Sequence, residues 1–375
     1  MPQPPLSLYI HLPWCERKCP YCDFNSHEAA EVPEAAYVDA LLEDLAGEYA
    51  VQDRPLATVF IGGGTPSLFS VEAISRLLEG MRDITQVAPD AEITLEANPG
   101  SADNEKLRGF ARAGVTRFSL GIQSFDDQAL KALGRIHNSS TAREAARAAR
   151  HSGAASFNLD LMHGLPGQDA SGGLNDLREA LAQQPQHLSW YQLTIEPNTR
   201  FYNERPALPV EDVLTTLEDQ GTRLLEASGF RRYEVSAWAL PGQECRHNLN
   251  YWEFGDYLAI GAGAHGKVTG ADGRILRYAK TRLPADYLRP GGRSRRNVRE
   301  LDAADRRGEF LLNALRLRKG FTRELFEART ALAFGALEPQ LSELVREGLL
   351  EQDDLGMRCT VRGWAFLDEV IAHFL

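Results

Sequence analysis

The chain has 375 residues, which gives room for two or three domains with a sizeable core. Its hydrophobic content of 43% and charged content of 25% are typical of a soluble globular protein. The formal net charge of −11 argues against nucleic acid as a partner. No run approaches the roughly 20 apolar residues of a transmembrane helix, and the first six residues lack the basic and apolar regions of a signal peptide. We therefore expect a cytoplasmic protein without a transmembrane segment.

Strands and helices alternate over the first half of the chain. Apolar residues recur at helical spacing in two clear stretches, 38–49 and 74–81. Six strands are predicted between the helical stretches, at Leu6–His11, Thr58–Ile61, Glu92–Glu96, Arg117–Ile122, Ser156–Leu161 and Leu188–Thr194. Such alternation favours parallel strands joined by right-handed crossovers. The prediction is an α/β fold with an open, partial (β/α)6 barrel, in which ligands bind at the C-terminal ends of the strands.

Three cysteines lie within eight residues, directly after the first predicted strand. Segment 15–22 reads CERKCPYC, which spaces the thiols as C-x3-C-x2-C. Three close thiols cannot all pair as disulfides, and a zinc site would need a fourth ligand. An iron–sulfur cube can use three cysteines and leave its fourth iron open to a small chelating molecule. Three unrelated cytosolic thiols are the weaker interpretation at this spacing.

This cysteine motif resembles the cluster loop of the radical S-adenosylmethionine (SAM) superfamily, which also has an aromatic residue before the last cysteine, here Tyr21. The preceding residues 9–15, YIHLPWC, narrow the resemblance to the oxygen-independent coproporphyrinogen III oxidase-like family, which includes both dehydrogenases and the heme chaperones called HemW. The resemblance implies a partial radical SAM barrel. It also implies a [4Fe-4S] cluster held by Cys15, Cys19 and Cys22, with SAM at the open iron.

Polar or glycine-rich segments follow several predicted strands, where a barrel binds its ligands. Segment 62–66, GGGTP, would let the backbone approach a ligand, although a plain turn has the same composition. Glu96 could hold a ligand, but it could also be a solvated loop acid. Asp160 could hold a ligand, but it could also be half of a core salt bridge. Arg135 can hold a carboxylate by two hydrogen bonds, but a lone arginine is usually a surface charge. The resemblance assigns to SAM the residues Tyr9, Tyr21, Gly63, Gly64, Thr65, Glu96, Gln123, Arg135 and Asp160.

A second motif, HNLNYW, occupies residues 247–252. A neutral imidazole can be an axial ligand of heme iron, and aromatic rings can pack on the macrocycle, but a histidine beside aromatics is more often part of a core. The segment matches the HNxxYW motif of HemW proteins, which implies heme binding by His247, Tyr251 and Trp252. Cys245 is either a further contact or an inert thiol. His11 is either a group near the cluster or a strand-end histidine with a local hydrogen bond.

Two further segments have distinctive compositions. Residues 261–266, GAGAHG, have the spacing of a dinucleotide fingerprint, but they precede a predicted hairpin at 267–275 and not a helix. We expect a close-approach loop, which the resemblance places near the adenine of SAM. Residues 284–299 are rich in Pro, Gly and Arg and predict a linker with solvated arginines. Contact of these arginines with anionic lipid or an acidic partner is the weaker alternative.

The C-terminal region predicts helices followed by a small hairpin, which resembles a winged helix. Its helix Leu337–Glu347 lacks a basic stripe, and this favours a lid or partner-docking module over DNA binding. A polar turn is predicted at Asp353–Asp354. The expected domains are a radical SAM partial barrel at 1–235, a heme-binding segment with hairpin and linker at 236–295, and a winged-helix-like α+β domain at 296–375.

Two functions compete. Family dehydrogenases have a fourth cysteine two residues after the third, where this chain has Phe24, and they have a long N-terminal extension, whereas this chain reaches its first strand by Leu6. With the HNxxYW motif, these departures favour a heme chaperone that delivers heme to respiratory hemoproteins, including membrane enzymes, so that peripheral membrane contact is expected. The alternative is oxidative decarboxylation of coproporphyrinogen III. A transcription factor is disfavoured by the charge.

Overall fold

An open mixed sheet organises the molecule. The computed structural model describes residues 3–353 and 356–375. Within these residues, twelve strands form the sheet in the spatial order Arg296–Glu300, Ile275–Ala279, His265–Thr269, Asp256–Ile260, Leu6–Leu12, Leu56–Gly63, Val87–Ala97, Arg117–Gln123, Ser156–His163, His187–Gln192, Ala237–Ala239 and Arg231–Glu234. The seven strands from Asp256–Ile260 to His187–Gln192 are parallel. Antiparallel strands extend both edges.

The predicted α/β class, with six parallel strands in chain order, is confirmed. The observed strands are longer at most ends than the predicted ones, and the last ends at Gln192 and not at Thr194. A seventh parallel strand, Asp256–Ile260, was not predicted; it pairs with the first strand, with Leu258 opposite Leu8. Its apolar run is too short for periodicity to separate a strand from a buried helix, and its partner lies far away in the sequence.

Helices flank the parallel strands. Their bounds are Glu34–Tyr49, Val71–Ile84, Asn104–Ala113, Asp127–Ala132, Ser139–Arg150, Ala170–Ala182, Arg200–Glu204 and Glu211–Ala227, with short 3-10 turns at Pro66–Leu68 and Pro99–Ser101. The second of these helices begins where the Ser70 side chain accepts the backbone N–H of Ala73. It ends after burying one apolar stripe against the sheet, made of Ile74, Leu77, Leu78 and Met81.

Residues 236–295 continue the same sheet. The strand Ala237–Ala239 pairs with one edge, and the strands between 256 and 279 build the other. The predicted hairpin is present, because His265–Thr269 and Ile275–Ala279 pair antiparallel. Its turn is closed by the N–H of Gly270, which donates to the carbonyl of Arg274 at 2.8 Å. The helix Arg246–Trp252 lies between these two groups of strands in the chain.

The stretch predicted as a linker, 284–299, is packed against the barrel. It forms the helix Pro284–Tyr287 and contributes most of the edge strand Arg296–Glu300. Composition predicted solvated arginines here. Arg289 and Arg299 are exposed, whereas Arg293 and Arg295 pair with acidic side chains of the distant helix Glu34–Tyr49. The ion pairs are Arg293–Glu43, Arg295–Glu48, Arg299–Asp305, Arg299–Glu309 and Arg289–Asp286.

The C-terminal region builds most of a second hydrophobic core, to which Phe254 and Ile275 of the middle region also belong. Its helices are Ala303–Ala314, Arg323–Thr330, Gln340–Arg346, Val361–Ala365 and Leu367–Ala372, with a 3-10 turn at Phe334–Leu337 and a hairpin of Leu350–Gln352 with Met357–Cys359. The predicted helix Leu337–Glu347 begins only at Gln340, after Pro339. Asp354 of the predicted polar turn lies outside the described residues. In the part of the chain that the structure describes, no helix is long and apolar enough to cross a membrane.

Candidate functional site

A cavity of about 570 Å³ opens at the C-terminal ends of the parallel strands. This volume is in the range of small-molecule sites, and its position is the one that a barrel predicts. The cavity brings together most of the residues predicted for the cluster and SAM: Cys15, Cys19, Tyr21, Cys22, Gly63, Gly64, Thr65, Glu96, Gln123, Arg135 and Asp160. Residues from four parallel strands, from the loop that carries Arg135 and from the cysteine loop therefore line one space.

The cysteine loop is held from two sides. Beneath it, the backbone of His27 donates to the carbonyl of Pro13 at 2.7 Å. Beside it, the Asn25 side chain donates to the carbonyls of Ala262 and Arg282, at 3.0 and 2.9 Å. These bonds fix the loop before any ligand binds, so that the thiols have defined positions at the cavity mouth.

Each of two thiols has a polar neighbour across the cavity. The Arg135 guanidinium donates to the sulfur of Cys19 at 3.4 Å, and the Thr65 hydroxyl donates to the sulfur of Cys15 at 3.5 Å. Burial raises the pKa of Cys15 and of Cys22. A bound metal reverses this tendency, because coordination deprotonates a thiol outright.

The donor set fits an iron–sulfur cube better than a single ion. Among residues 3–353 and 356–375, no three His, Cys, Asp or Glu side chains are placed to share one metal ion. In a cube each thiolate ligates its own iron, so three separated, half-buried thiols around a cavity are what it requires. Cys15, Cys19 and Cys22 are therefore the residues that could hold [4Fe-4S].

The glycine run at 62–64 is required by close packing. Gly63 has a φ of 117°, and a Cβ there would lie 2.6 Å from the His11 ring. A Cβ on Gly64 would lie 2.4 Å from the carbonyl oxygen of Trp14. The N–H of Gly63 donates to Glu96 Oε2 at 3.0 Å. The run thus lets the second strand approach the cysteine loop and positions a carboxylate at the cavity wall.

Two buried carboxyl groups give the cavity its electrostatic character. Burial, and then the nearby Asp160, raise the pKa of Glu96 to about 7. Burial also raises the pKa of Asp160, against hydrogen bonds from Asn158, Ser189 and Ser119. Both groups would gain from a cationic or hydroxyl-bearing ligand, because such a ligand would replace the lost water.

Gln123 and Arg135 form the wall opposite the glycine run. Gln123 has a φ of 69°, uncommon for a residue other than glycine, and its side chain accepts the hydroxyl of Tyr191 at 3.2 Å. Arg135 donates to the carbonyl of Gly121 at 2.7 Å, and its buried Nε has no partner among the described residues. A guanidinium with unused donors beside the thiols could take the carboxylate of a ligand.

Tyr9 and His11 do not line the cavity. The hydroxyl of Tyr9 bonds to His11 Nδ1 at 2.9 Å, and His11 Nε2 bonds to the carbonyl of Asn25 at 2.9 Å. Of the two interpretations of His11, these bonds favour the strand-end histidine with local partners, which ties the first strand to the cysteine loop. The GAGAHG loop packs closely against the first strand, because a Cβ on Gly261 would lie 2.3 Å from the carbonyl oxygen of His11.

The HNLNYW helix closes the opposite, N-terminal end of the barrel. His247 is 4% exposed, and its Nδ1 lies 2.8 Å from the hydroxyl of Thr58 at the start of a strand. Its backbone N–H donates to Glu92 at 3.0 Å. Burial lowers the pKa of His247 to about 3, so the ring is neutral. Asn248, one residue further, faces the cavity.

The other predicted heme residues, Tyr251 and Trp252, do not line the cavity. The Tyr251 ring stacks on Tyr257 with centroids 4.2 Å apart, and Arg316 lies over the Trp252 ring at 4.6 Å. Cys245 is fully buried, its sulfur donates to Glu92 at 3.5 Å, and burial raises its pKa to about 12, which favours the inert thiol over a further contact. The predicted heme residues thus lie outside the cavity that most of the predicted SAM residues line, whereas Tyr9 reaches them through the Phe60 ring.

Several cavity residues were missed by the sequence analysis. They are Phe60, Arg117, Ser119, Asn158, Ser189, Tyr191 and Asn248. Most of them share a signal, since they alternate with apolar residues in strands that are otherwise buried. Period-2 alternation marks one face of a strand, so polar residues at this period in a core strand indicate an inward-facing site.

Comparison with known proteins agrees with this geometry. Residues 9–178 match the Radical SAM superfamily, and residues 301–366 match the HemN C-terminal domain. The chain is 50% identical over 374 residues to "Heme chaperone HemW" of Escherichia coli K12, covering 99% of this chain and 98% of that one. It is 47% identical over 378 residues to the Haemophilus influenzae protein of the same name, with 99% and 98% coverage.

A solved structure supports the fold independently. Coproporphyrinogen III oxidase (HemN) from Escherichia coli matches with a TM-score of 0.84 at 22% identity, covering 100% of this chain and 91% of that chain. This similarity establishes the radical SAM fold with its C-terminal domain. The identities to the two chaperones extend over nearly the whole length of each chain. The chain belongs to the HemW family of the radical SAM superfamily.

Proposed function

We propose that this protein is a heme chaperone that holds a [4Fe-4S] cluster and SAM in the barrel cavity, binds heme, and passes it to respiratory hemoproteins. The observation that carries the proposal is the 50% identity to a named heme chaperone over nearly the full chain. The cavity supports it, because the predicted cluster and SAM residues converge there. We further propose a cytoplasmic location with peripheral contact to membrane-bound acceptors.

In this proposal Cys15, Cys19 and Cys22 hold the cluster, and the cavity wall holds SAM. With both bound, the site supplies one-electron chemistry at a sulfonium. Arg135, whose Nε has no partner among the described residues, receives the carboxylate of SAM. Glu96 receives its amino group, and Asp160 and Gln123 take the hydroxyls of the ribose.

The protein side chains also exclude water from this site. Tyr21 packs toward Phe201, with ring centroids 6.3 Å apart, and covers one side of the cluster loop. Phe24, which stands where family dehydrogenases have a further cysteine, is 62% exposed and lies at the cavity mouth. An apolar ring at that position cannot ligate iron, and this supports the chaperone over the dehydrogenase.

His247 is the proposed axial ligand of heme iron. The hydroxyl of Thr58 donates a hydrogen bond to the hydroxyl oxygen of Ser7 at 2.7 Å. The close His247 Nδ1 must then carry its own hydrogen and donate to Thr58. This tautomer leaves Nε2 with a free lone pair, the form that binds iron. Because the ring is buried, ligation requires the helix Arg246–Trp252 to move away from the barrel floor.

A hemin titration tests the proposal. Wild-type protein should develop a Soret band on addition of hemin, and His247→Ala should weaken that band strongly. Tyr202→Ala, which removes an exposed aromatic ring outside the motif, is the matched control and should bind as wild type. Equal binding by wild type and His247→Ala would reject the axial ligand. Conversion of coproporphyrinogen III by reconstituted protein with SAM and reductant would replace the chaperone with the dehydrogenase.

A further inference from the structure

An arginine without an ionic partner lies at the floor of the barrel cavity. Arg117 begins the strand Arg117–Gln123 and is 3% exposed, yet it lines the cavity. Its Nε is buried without a hydrogen-bond partner, and no carboxylate of the described residues lies within ion-pair distance of its guanidinium. Buried charges are almost always paired. An unpaired, buried guanidinium that faces a cavity therefore indicates a missing anionic partner.

The neighbouring groups do not supply that partner. Glu92 and Asp160 are near enough to influence the pKa of Arg117, but each is already engaged. Glu92 accepts the backbone N–H groups of Arg246 and His247, at 3.1 and 3.0 Å. Asp160 accepts the side-chain amide of Asn158 at 2.7 Å. Two further titratable groups act on Arg117, the thiol of Cys245 and the hydroxyl of Tyr233. Burial raises the pKa of both, so both are neutral.

Two more polar side chains, one paired with Arg117 across the sheet and one on the HNLNYW helix, have no hydrogen-bond partner among the described residues. The hydroxyl of Thr94, the residue paired with Arg117 in the adjacent strand, is buried and has no hydrogen-bond partner in the described chain. The side chain of Asn248 lines the cavity and makes no hydrogen bond to the residues that the structure describes. Together they give a guanidinium, a hydroxyl and an amide, which are all groups that can donate to one carboxylate.

This group is distant from the proposed SAM carboxylate site. Six residue steps separate Arg117 from Gln123 at the rim, which is roughly 20 Å along a strand. Arg135, the guanidinium beside the cysteines, lies at the rim. The cavity thus has one arginine at each end. One ligand carboxylate at the rim leaves the floor arginine unpaired, so the floor could accept a second carboxylate.

We propose that Arg117, with Thr94 and Asn248, forms a carboxylate subsite at the barrel floor that receives a propionate of the bound tetrapyrrole. The inference rests on the proposed function for the identity of the ligand. Arg117 lies under the HNLNYW helix, near enough to influence the pKa of His247. A heme ligated by His247 after that helix moves would bring its propionates toward the same floor. The subsite would thus anchor the charged edge while the imidazole holds the iron.

The test uses two ligands that differ only in their carboxylates. Anaerobically reconstituted, SAM-loaded protein is titrated with hemin and with hemin dimethyl ester. Wild type should bind hemin about tenfold or more tightly than the ester, and Arg117→Gln should bind the two equally. Arg112→Gln, which removes an exposed arginine, should keep the wild-type preference. Arg117→Lys keeps the charge and should keep part of the preference, which guards against a folding defect in the glutamine variant.

Other outcomes reject the subsite. Equal binding of both ligands by wild type, or an unchanged preference in Arg117→Gln, would overturn it. SAM affinity should be the same in wild type and Arg117→Gln. If it falls in Arg117→Gln as much as in Arg135→Gln, the floor arginine serves the carboxylate of SAM and the subsite for a tetrapyrrole is rejected.

A further experiment distinguishes failure of the carboxylate subsite from failure of the proposed function. If wild type binds no hemin, the heme chaperone is rejected, and the subsite is judged with propionate alone. Saturation-transfer NMR of propionate with SAM-loaded protein should then give a signal in wild type and in Arg112→Gln that is lost in Arg117→Gln. No signal in wild type, or an equal signal in Arg117→Gln, would overturn the subsite.

Discussion

The imidazole of His247 is hydrogen-bonded to the hydroxyl of Thr58 at 2.8 Å, and this contact joins the HNLNYW helix to the start of a barrel strand. The proposed heme ligand is therefore part of the barrel floor. The Phe60 ring packs beside the imidazole, with centroids 5.1 Å apart, and it lines the cavity whereas the imidazole does not. In the proposed function, heme binding would therefore compete with closure of the floor for the imidazole of His247.

Weakening this contact should favour heme. Thr58→Val removes the acceptor for His247, and a buried hydrogen bond contributes about 0.5–1.5 kcal/mol. We expect the apparent hemin affinity of Thr58→Val to rise roughly 2- to 10-fold, measured from the Soret band. Thr58→Ser keeps the hydroxyl and should bind as wild type. A lower affinity in Thr58→Val would show that the closed floor is the heme-binding state.

Replacing a cysteine by serine should destroy the cluster when the residue is Cys19 but not when it is Cys245. Cys19→Ser removes one of three thiolates and should lose most of the bound iron and the broad absorbance near 400 nm, because a cube with two protein ligands is poorly held. Cys245→Ser should keep both, since its sulfur bonds to Glu92 away from the cavity. Iron and sulfide analysis after anaerobic reconstitution measures this. Zinc in place of iron in wild type would contradict the cluster.

The parallel strands and the cavity residues at their ends were predictable because both depend on local pattern. Buried apolar runs specify the strands, and the ends of parallel strands must meet at one edge. Gly63 and Glu96 could thus be placed from the sequence pattern, whereas Arg135 lies one helix beyond its strand and was placed by the resemblance. Arg117 was not placed, because a polar residue at the start of a strand looks like a solvated end.

The packing of the middle region could not be predicted, because it depends on partners distant in sequence. Residues 284–299 have the composition of a linker, but Glu48 lies more than 200 residues earlier and pairs with Arg295. The burial of His247 has the same origin, since Thr58 and Glu92 come from the first strands. The local sequence pattern shows that such side chains are polar, but it does not show which of them will form contacts with one another.

Lys280 should be important for stability. Its ammonium, 1% exposed, lies 2.6 Å from Asp44 and 2.7 Å from Glu48, both buried. Lys280→Met would leave two buried carboxylates with one cation fewer, and such a loss costs about 3–5 kcal/mol. Lys319→Met removes an exposed lysine paired with Glu253 and should cost less than about 1 kcal/mol. Urea unfolding compares the two, and equal effects would contradict a structural role for the buried cluster.

The buried carboxyl of Glu96 should lower the stability of the SAM-free protein, whereas it should favour the binding of SAM. Since one pKa unit corresponds to about 1.4 kcal/mol, a carboxyl whose pKa rises from 4.5 to about 7 on folding destabilises the folded state by about 3 kcal/mol at pH 8. Glu96→Gln should therefore stabilise SAM-free protein at pH 8. The advantage should shrink as pH falls from 7 to 4.5, where the wild-type carboxyl is protonated in both states.

Unfolding curves at pH 8 and pH 5 measure this difference. Glu196→Gln, at a partly exposed carboxylate that also lines the cavity, is the matched control and should change stability by less than about 0.5 kcal/mol at either pH. In the presence of SAM the order should reverse, because the amide cannot pair with the amino group of the ligand. A Glu96→Gln protein that is less stable than wild type at pH 8 without SAM would mean that the ionised carboxylate is already satisfied, by Gly63 and its surroundings, before SAM binds.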